Sequence, residues 1–299
     1  MPNYKLDRQA SNVFKVKMQY EAGFEQWFLL ASDIHFDNPD CDRKLFKRHL
    51  EEAKERDAGV LINGDFFCLM EGRSDPRNSK KLYPKHLGMN YIDNVIEDAV
   101  EFLEPYSDRL VMIGMGNHET AILKRSETNV TERLCGLLKY KTKNAVYNGQ
   151  YGGYVRFMFE KATKGGHIGG RQSIVLHYYH GTGGSSLMTK GVNKHMQRLT
   201  FVPDADIIWM GHSHNEFVVS HQRMRLSQKG KIYQDECLLV NTSTYKDAYK
   251  TGKMGWEIER GHPPKPKGAY WLRLFYKSYD YKNKDKDRRL IQCEVLRAR

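Results

Sequence analysis

The sequence lacks the features that mark several common protein classes. Its five cysteines never form a Cys-x-x-Cys pair, which is the spacing of a zinc ribbon or a dithiol redox site. An odd number of scattered cysteines is typical of reduced thiols. No apolar run is long enough to span a bilayer, and the first residues lack the apolar segment of a signal peptide. We therefore expect a cytoplasmic protein with no membrane insertion.

Modules that bind nucleic acid are also missing. The sequence contains no helix-turn-helix, zinc finger or Arg/Gly tail. Its charge is nevertheless uneven: residues 1–150 hold 22 Lys and Arg against 23 Asp and Glu, whereas residues 151–299 hold 26 against 13. A positive second half favours polyanionic partners, with nucleic acid first and an anionic membrane surface second, although a merely soluble basic protein fits the same numbers.

Hydrophobic periodicity predicts a layered α/β architecture. Apolar strands are expected over residues 27–32 and 59–63, and the helix between them follows the cap residue Asp42 and ends near residue 56. A strand, a helix and a strand in immediate succession form a right-handed βαβ unit with parallel strands. A further helix is expected over residues 91–103.

The composition shows no boundary between domains. A chain of 299 residues can bury a sizeable core as one large domain or two small ones. We predict one domain over residues 1–299, with a motif core at 27–215 and C-terminal strands and basic loops at 216–299. The oligomeric state is left open.

Metal-binding residue types follow five apolar strands, at the point where each strand ends. They are Asp33 and His35 after residues 27–32, Asp65 after 59–63, Asn117 and His118 after 110–115, His180 after 173–179, and His212 and His214 after 206–210. An Asp-x-His or a Gly-Asp alone is weak evidence, whereas two histidines one residue apart after a glycine are an odd choice for packing. Carboxylates, imidazoles and one amide suit Mn, Fe, Zn or Ni, and the absence of thiolate argues against a structural zinc. Alternate residues of an extended segment share a face, so Asp33 and His35 are expected to point the same way.

The order of these motifs resembles the calcineurin-like metallophosphoesterases over residues 27–215. The resemblance implies two mixed β-sheets packed as a sandwich and flanked by helices, with two divalent metal ions, most readily Mn, at one rim. It assigns Asp33, His35 and His214 to the first metal, Asn117, His180 and His212 to the second, and Asp65 to both, with His118 as the proton donor to the leaving group. Two such ions can hold a bridging hydroxide and clamp the oxygens of an in-line displacement.

Two features do not follow directly from the resemblance to this family. His177 and His180 both lie near the end of one strand, and His180 is the favoured ligand because Gly181 follows it, which leaves His177 in the core or behind the ligands. Ser/Thr protein phosphatases carry Asp and Arg where this chain has Cys68 and Leu69. The chain is therefore closer to small phosphodiesterases and repair nucleases, including bacteriophage forms, and the group that orients His118 is not identified.

Three functions remain open. The leading hypothesis is a two-metal phosphodiesterase that hydrolyses nucleic acid or nucleotide diesters. The second is a phosphomonoesterase or small-molecule pyrophosphatase, and the third is an inactive scaffold, which the complete ligand set disfavours.

A helix predicted over residues 185–199 supplies candidate substrate contacts. Lys190, Lys194 and Arg198 recur every four residues and would form one cationic ridge on such a helix. An apolar stripe of Met188, Val192 and Met196 would face the domain and hold the ridge outward. We expect this ridge to bind phosphates, with an ordinary solvated helix face as the alternative.

Overall fold

The computed structural model of the chain describes residues 3–70, 82–161, 170–184, 186, 188–249, 258, 261–277 and 290–298. Its strands are β1 (Lys5–Ala10), β2 (Val13–Tyr20), β3 (Glu25–Ala31), β4 (Gly59–Ile62), β5 (Leu110–Ile113), β6 (Gly152–Lys161), β7 (Arg171–Tyr179), β8 (Ile207–Met210), β9 (Phe217–Leu226), β10 (Ile232–Asn241), β11 (Ala269–Tyr276) and β12 (Ile291–Ala298). Its α-helices are α1 (Arg43–Glu55), α2 (Tyr91–Leu103), α3 (Asn117–Ser126), α4 (Val130–Thr142) and α5 (Val192–Leu199). Much of the predicted basic loop region, at residues 250–257, 259–260 and 278–289, lies outside the described residues.

The strands form two mixed sheets. The seven-stranded sheet has the order β1-β2-β6-β7-β8-β10-β9, and the five-stranded sheet has the order β12-β11-β3-β4-β5. Strands β3 and β4 are parallel and are joined by α1, so the predicted βαβ unit is confirmed. The Asp42 carboxylate accepts a hydrogen bond from the Leu45 amide and caps α1 as expected.

The inner faces of the two sheets pack against each other. Alternation in β2, with Phe14 and Val16 buried, sends every second side chain into this layer. Phe28 from the five-stranded sheet meets Phe157 from the seven-stranded sheet with ring centroids 4.8 Å apart. The predicted sandwich is therefore confirmed, and the α/β fold class with it.

Helices cover the outer face of the five-stranded sheet. Residues of α1, α2 and α4 join the buried side chains Leu29, Val60 and Ile62 in one hydrophobic cluster. Strand β1 was not predicted from the sequence, because it is a polar edge strand whose side chains are mostly exposed. Among the described residues, no helix is long and apolar enough to cross a membrane.

A buried carboxylate ties α2 to the start of α1. Asp98 is only 6 % exposed, accepts hydrogen bonds from His86 at 2.8 Å and from Lys85, and forms an ion pair with Arg43 at 2.8 Å. Burial alone would raise the pKa of Asp98, but its three partners hold it well below its usual range. The contribution to stability is therefore complete above the unfolded-state pKa of about 3.9 and is lost as pH falls below it.

Asp98→Asn is expected to lower the free energy of unfolding by about 3 kcal/mol at neutral pH, because the cations then lose their buried counter-charge. Urea denaturation of the two proteins measures this difference. Glu97→Gln, an exposed change on the same helix, is the matched control and should have little effect. The difference should shrink below pH 4, and a difference that grows there would contradict the assignment.

Candidate metal centre

The candidate ligands gather where strands of both sheets end. The Gly64 carbonyl accepts a hydrogen bond from the Asp33 amide at 3.1 Å, and the His180 carbonyl accepts one from the Gly211 amide at 3.0 Å. Between the sheets, the buried Asn63 side chain donates to the carbonyls of Tyr179 and Trp209 at 3.2 and 3.3 Å. The ends of β3, β4, β7 and β8 are therefore fixed to one another at one rim.

The backbone of this rim is largely left-handed. Five candidate ligands have a positive φ, at Asp33 (52°), His35 (51°), Asp65 (46°), His212 (64°) and His214 (54°). The prediction that Asp33 and His35 share the face of an extended segment is wrong in its geometry, because neither residue is extended. Such conformations cost on the order of 1–3 kcal/mol each and cluster at functional sites, where the surrounding structure holds them.

One group of side chains converges at the ends of β3 and β8. His35 Nε2 lies 3.2 Å from His214 Nε2, and His214 Nε2 lies 3.3 Å from Asp33 Oδ1. The Asp33 carboxylate also accepts the His212 amide, at 2.9 and 3.1 Å from its two oxygens. Asp33 and His35 are buried, and His214 is half-buried. The structure thus brings together the three residues assigned to the first metal.

A second group converges beside it. His180 Nε2 lies 3.2 Å from Asp65 Oδ2 and 3.3 Å from Asn117 Oδ1, and His212 Nδ1 lies 2.7 Å from the same Asn117 oxygen. The other nitrogen of His180, Nδ1, donates to the Asn63 carbonyl at 2.8 Å, which directs Nε2 into the group. His177 lies outside it, since its ring contacts Tyr154 and its Nε2 faces Arg198 at 3.1 Å.

The two groups suit metal ions in their spacing and in their donor atoms. Ligand atoms on a common ion at about 2.0–2.2 Å stand about 3.0–3.4 Å apart, which matches most of the separations above. The donors are imidazole nitrogens, carboxylates and an amide oxygen, which suit divalent first-row metals. A third cluster, His35, Cys68 and His118, is less suitable, because burial raises the pKa of the Cys68 thiol and thiolate is the binding form.

Two glycines allow the loops to approach the carboxylates. A Cβ atom on Gly116 would lie 2.0 Å from Asp65 Oδ1, and one on Gly211 would lie 2.5 Å from Asp33 Oδ2. Both distances are impossible contacts. Any side chain at either position would displace a candidate ligand.

Attraction between a carboxylate and imidazoles stabilises the second group. Burial alone would raise the pKa of Asp65, but the imidazoles of His180 and His118 hold it well below its usual range. Burial would lower the pKa of His180, but the Asp65 carboxylate raises it to about 10.

His118 is oriented by a backbone carbonyl. Its Nδ1 donates to the Cys68 carbonyl at 2.7 Å, and its Nε2 lies 3.9 Å from Asp65 Oδ2. Asp37 in turn holds this segment, because its two oxygens accept the amides of Cys68 and Leu69 at 2.6 and 2.8 Å. The sequence alone did not identify the group that orients His118. The backbone carbonyl of Cys68 does so, at the position where the protein phosphatases have Asp.

The sequence analysis did not identify Asp37 and gave no role to Glu119, which follows Asn117 and His118 in the same motif. The buried Glu119 carboxylate accepts the amides of Asp65, Phe67 and Gly116 at 3.1, 2.8 and 2.7 Å. It therefore joins the end of β4 to the start of α3. A Glu at the third position of a helix is a recognised capping signal and could have identified Glu119, whereas no local signal marks Asp37.

The predicted cationic ridge does not form. Gly191 has a φ of 94°, and α5 begins only at Val192, so Lys190 precedes the helix. The predicted apolar stripe is also wrong, since Met188 is 91 % exposed and the buried residue of α5 is His195.

The two helical cations of the predicted ridge contact the protein itself. Lys194 donates to the carbonyls of Thr182 and Gly183, the latter at 2.9 Å. Arg198 lies 3.5 Å from the ring centroid of Tyr179. Both side chains therefore hold the segment that includes His180.

Comparison with known protein families identifies the family of this chain. Residues 27–240 match the sequence model of the calcineurin-like phosphoesterases. This chain belongs to that family. The match extends past the motifs through most of β10, the strand that pairs with β8 beside the candidate metal centre.

Two solved structures are similar to this calcineurin-like phosphoesterase at low sequence identity. No curated protein matches it. A predicted phosphoesterase from Streptococcus pneumoniae TIGR4 is 14 % identical with a TM-score of 0.32, over 92 % of this chain and 90 % of that one. GAP50, the anchor in the inner membrane complex of Plasmodium, is 11 % identical with a TM-score of 0.36, over 92 % of this chain and 89 % of that one.

Proposed function

We propose that this phosphoesterase is a two-metal phosphodiesterase of the small, nuclease-like branch, which hydrolyses nucleic acid or nucleotide diesters. The observation that carries the proposal is the pair of adjacent ligand groups, Asp33 with His35 and His214, and Asp65 with His180 and His212. Asn117 completes the second group, and Asp65 is the residue we assign to both ions. Two bound cations would supply positive charge to the phosphoryl oxygens and lower the pKa of a water.

The chain's own residues position the reacting groups. The Cys68 carbonyl fixes the Nδ1 proton of His118, so Nε2 faces the same space as Asp65. With a proton on Nε2, the imidazole can donate it to the departing oxygen. In this proposal water is the attacking group, so no side chain acts as the nucleophile.

The preference for a nucleic acid or nucleotide diester rests on charge. Residues 151–299 hold 26 Lys and Arg against 13 Asp and Glu, and they contribute three of the candidate ligands. A positive surface around a phosphoester site favours polyanionic substrates. The five cysteines are free thiols, which fits a reducing compartment, and we propose the cytoplasm.

Metal removal and ester choice test the proposal together. Chelation should reduce hydrolysis of bis(p-nitrophenyl) phosphate to background, and added Mn²⁺ should restore it, because the bound cations are proposed to activate the attacking water. The restored enzyme should have a higher kcat/KM for this diester than for p-nitrophenyl phosphate. Full activity after chelation would overturn the metal-dependent mechanism, and a preference for the monoester would instead favour a phosphomonoesterase.

A further inference from the structure

Asn215 binds the backbone of one lysine and the side chain of another beside the candidate metal centre. It directly follows His214, is 8 % exposed, and its Oδ1 accepts a hydrogen bond from Lys265 Nζ at 2.7 Å. Its Nδ2 donates to the Lys190 carbonyl at 3.0 Å, and its own carbonyl accepts from Asn241 Nδ2 at 2.7 Å. The amide is therefore fixed on both sides, and it holds the Lys190 backbone and the Lys265 ammonium next to the residue that follows His214.

The charges of the two lysines are not neutralised by the described part of the chain. Lys267, two residues after Lys265, pairs with Asp42 and Asp247, each at 2.8 Å. No such pair with a described carboxylate exists for Lys265 or Lys190, and burial together with the Lys190 charge lowers the pKa of Lys265. Two like charges held close together are unfavourable, and a bound anion would relieve that repulsion.

The backbone of Lys190 is in a strained conformation. Lys190 has a φ of 48°, a left-handed conformation that is rare for a lysine. The Asn215 side chain and the Ser186 carbonyl, which accepts from the Lys190 amide at 2.8 Å, hold it in place. Its side chain is exposed to solvent, and that of Lys265 is half-buried. Strained residues that their surroundings hold in place cluster at binding sites.

We propose that Lys190 and Lys265 bind a second phosphate of the substrate, the one next to the phosphate that is hydrolysed. A lysine ammonium has three N–H donors and Asn215 uses one from Lys265, so two remain for phosphate oxygens. Lysine serves phosphate sites as a mobile point charge, which suits a group that lies beside the reacting one. The inference rests on the proposed function, since it takes the reacting phosphate to lie at the candidate metal centre.

Equilibrium binding of nucleotides to the Mn²⁺-loaded full chain tests this inference without turnover. The probes are thymidine 3′,5′-bisphosphate and thymidine 5′-phosphate, because one phosphate can occupy the metal centre and only the bisphosphate has a second. The unaltered protein should bind the bisphosphate about tenfold more tightly, a modest gain for charged hydrogen bonds at a partly exposed site. The Lys190→Ala/Lys265→Ala variant should bind the two nucleotides equally well.

Two further variants control for charge and for folding. Lys229→Ala/Lys231→Ala removes the same charge from the exposed turn between β9 and β10, and it should keep the preference for the bisphosphate. Lys190→Arg/Lys265→Arg should also keep it, because the cations are retained. Equal binding of both nucleotides by the unaltered protein, or an undiminished preference in the double alanine variant, would overturn the proposal. Loss of diester hydrolysis is a separate result, which would count against the proposed function instead.

Discussion

Asp65→Asn is expected to lower kcat/KM for an aryl phosphodiester by more than about 10²-fold. Changes to residues behind metal ligands already cost about 10–100-fold, and Asp65 is assigned to both ions. The substitution removes the charge but keeps the shape, and the asparagine Oδ1 can still accept the His118 amide that Asp65 Oδ1 binds at 3.0 Å. The start of α3 should therefore keep its structure, so the loss would report on the metals.

Metal content separates the causes of that loss. After equilibrium dialysis against Mn²⁺, the variant should hold fewer than two ions per chain, whereas the unaltered protein should hold two. Asp204→Asn, an exposed change in the turn before β8, is the control and should alter neither quantity. Two tightly bound ions and normal turnover in the Asp65 variant would show that the bridging role is wrongly assigned.

The position of the site was predictable from the sequence for a topological reason. Polar residues that follow buried strands lie at strand ends, and in parallel neighbours such as β3 and β4 those ends share one edge of the sheet. The same argument placed His180 and His212 together, since β7 and β8 are also parallel. It needs no knowledge of side-chain contacts, only of where each apolar run stops.

Contacts between distant segments could not be predicted in this way. Asp37 reaches the amides of Cys68 and Leu69, and Asn215 reaches Lys265, across sequence separations that no local pattern records. Periodicity also failed at α5, where the left-handed Gly191 delays the start of a helix expected from residue 185. The residues that orient and supplement the candidate ligands therefore emerge only from the folded chain.

The surroundings of His118 determine how its loss should appear in the kinetics. Its Nδ1 is engaged by the Cys68 carbonyl, and its Nε2 is 3.9 Å from Asp65 Oδ2, so Nε2 is the ring nitrogen that faces the candidate centre. A proton donor matters most when the departing oxygen is a strong base, because such an oxygen cannot leave as an anion. Aryl oxides are weak bases and leave readily, whereas the alkoxide of a sugar does not.

His118→Asn is expected to lower kcat about 10²–10⁴-fold for an alkyl diester such as a dinucleotide, and far less for bis(p-nitrophenyl) phosphate. Both kcat values are measured with saturating Mn²⁺, and the metal content should stay at that of the unaltered protein because His118 is not assigned as a ligand. His221→Asn, on β9, is the control and should change neither rate. An equal loss on both esters would mean that His118 positions the substrate or its neighbours, since only proton donation makes the effect depend on the leaving group.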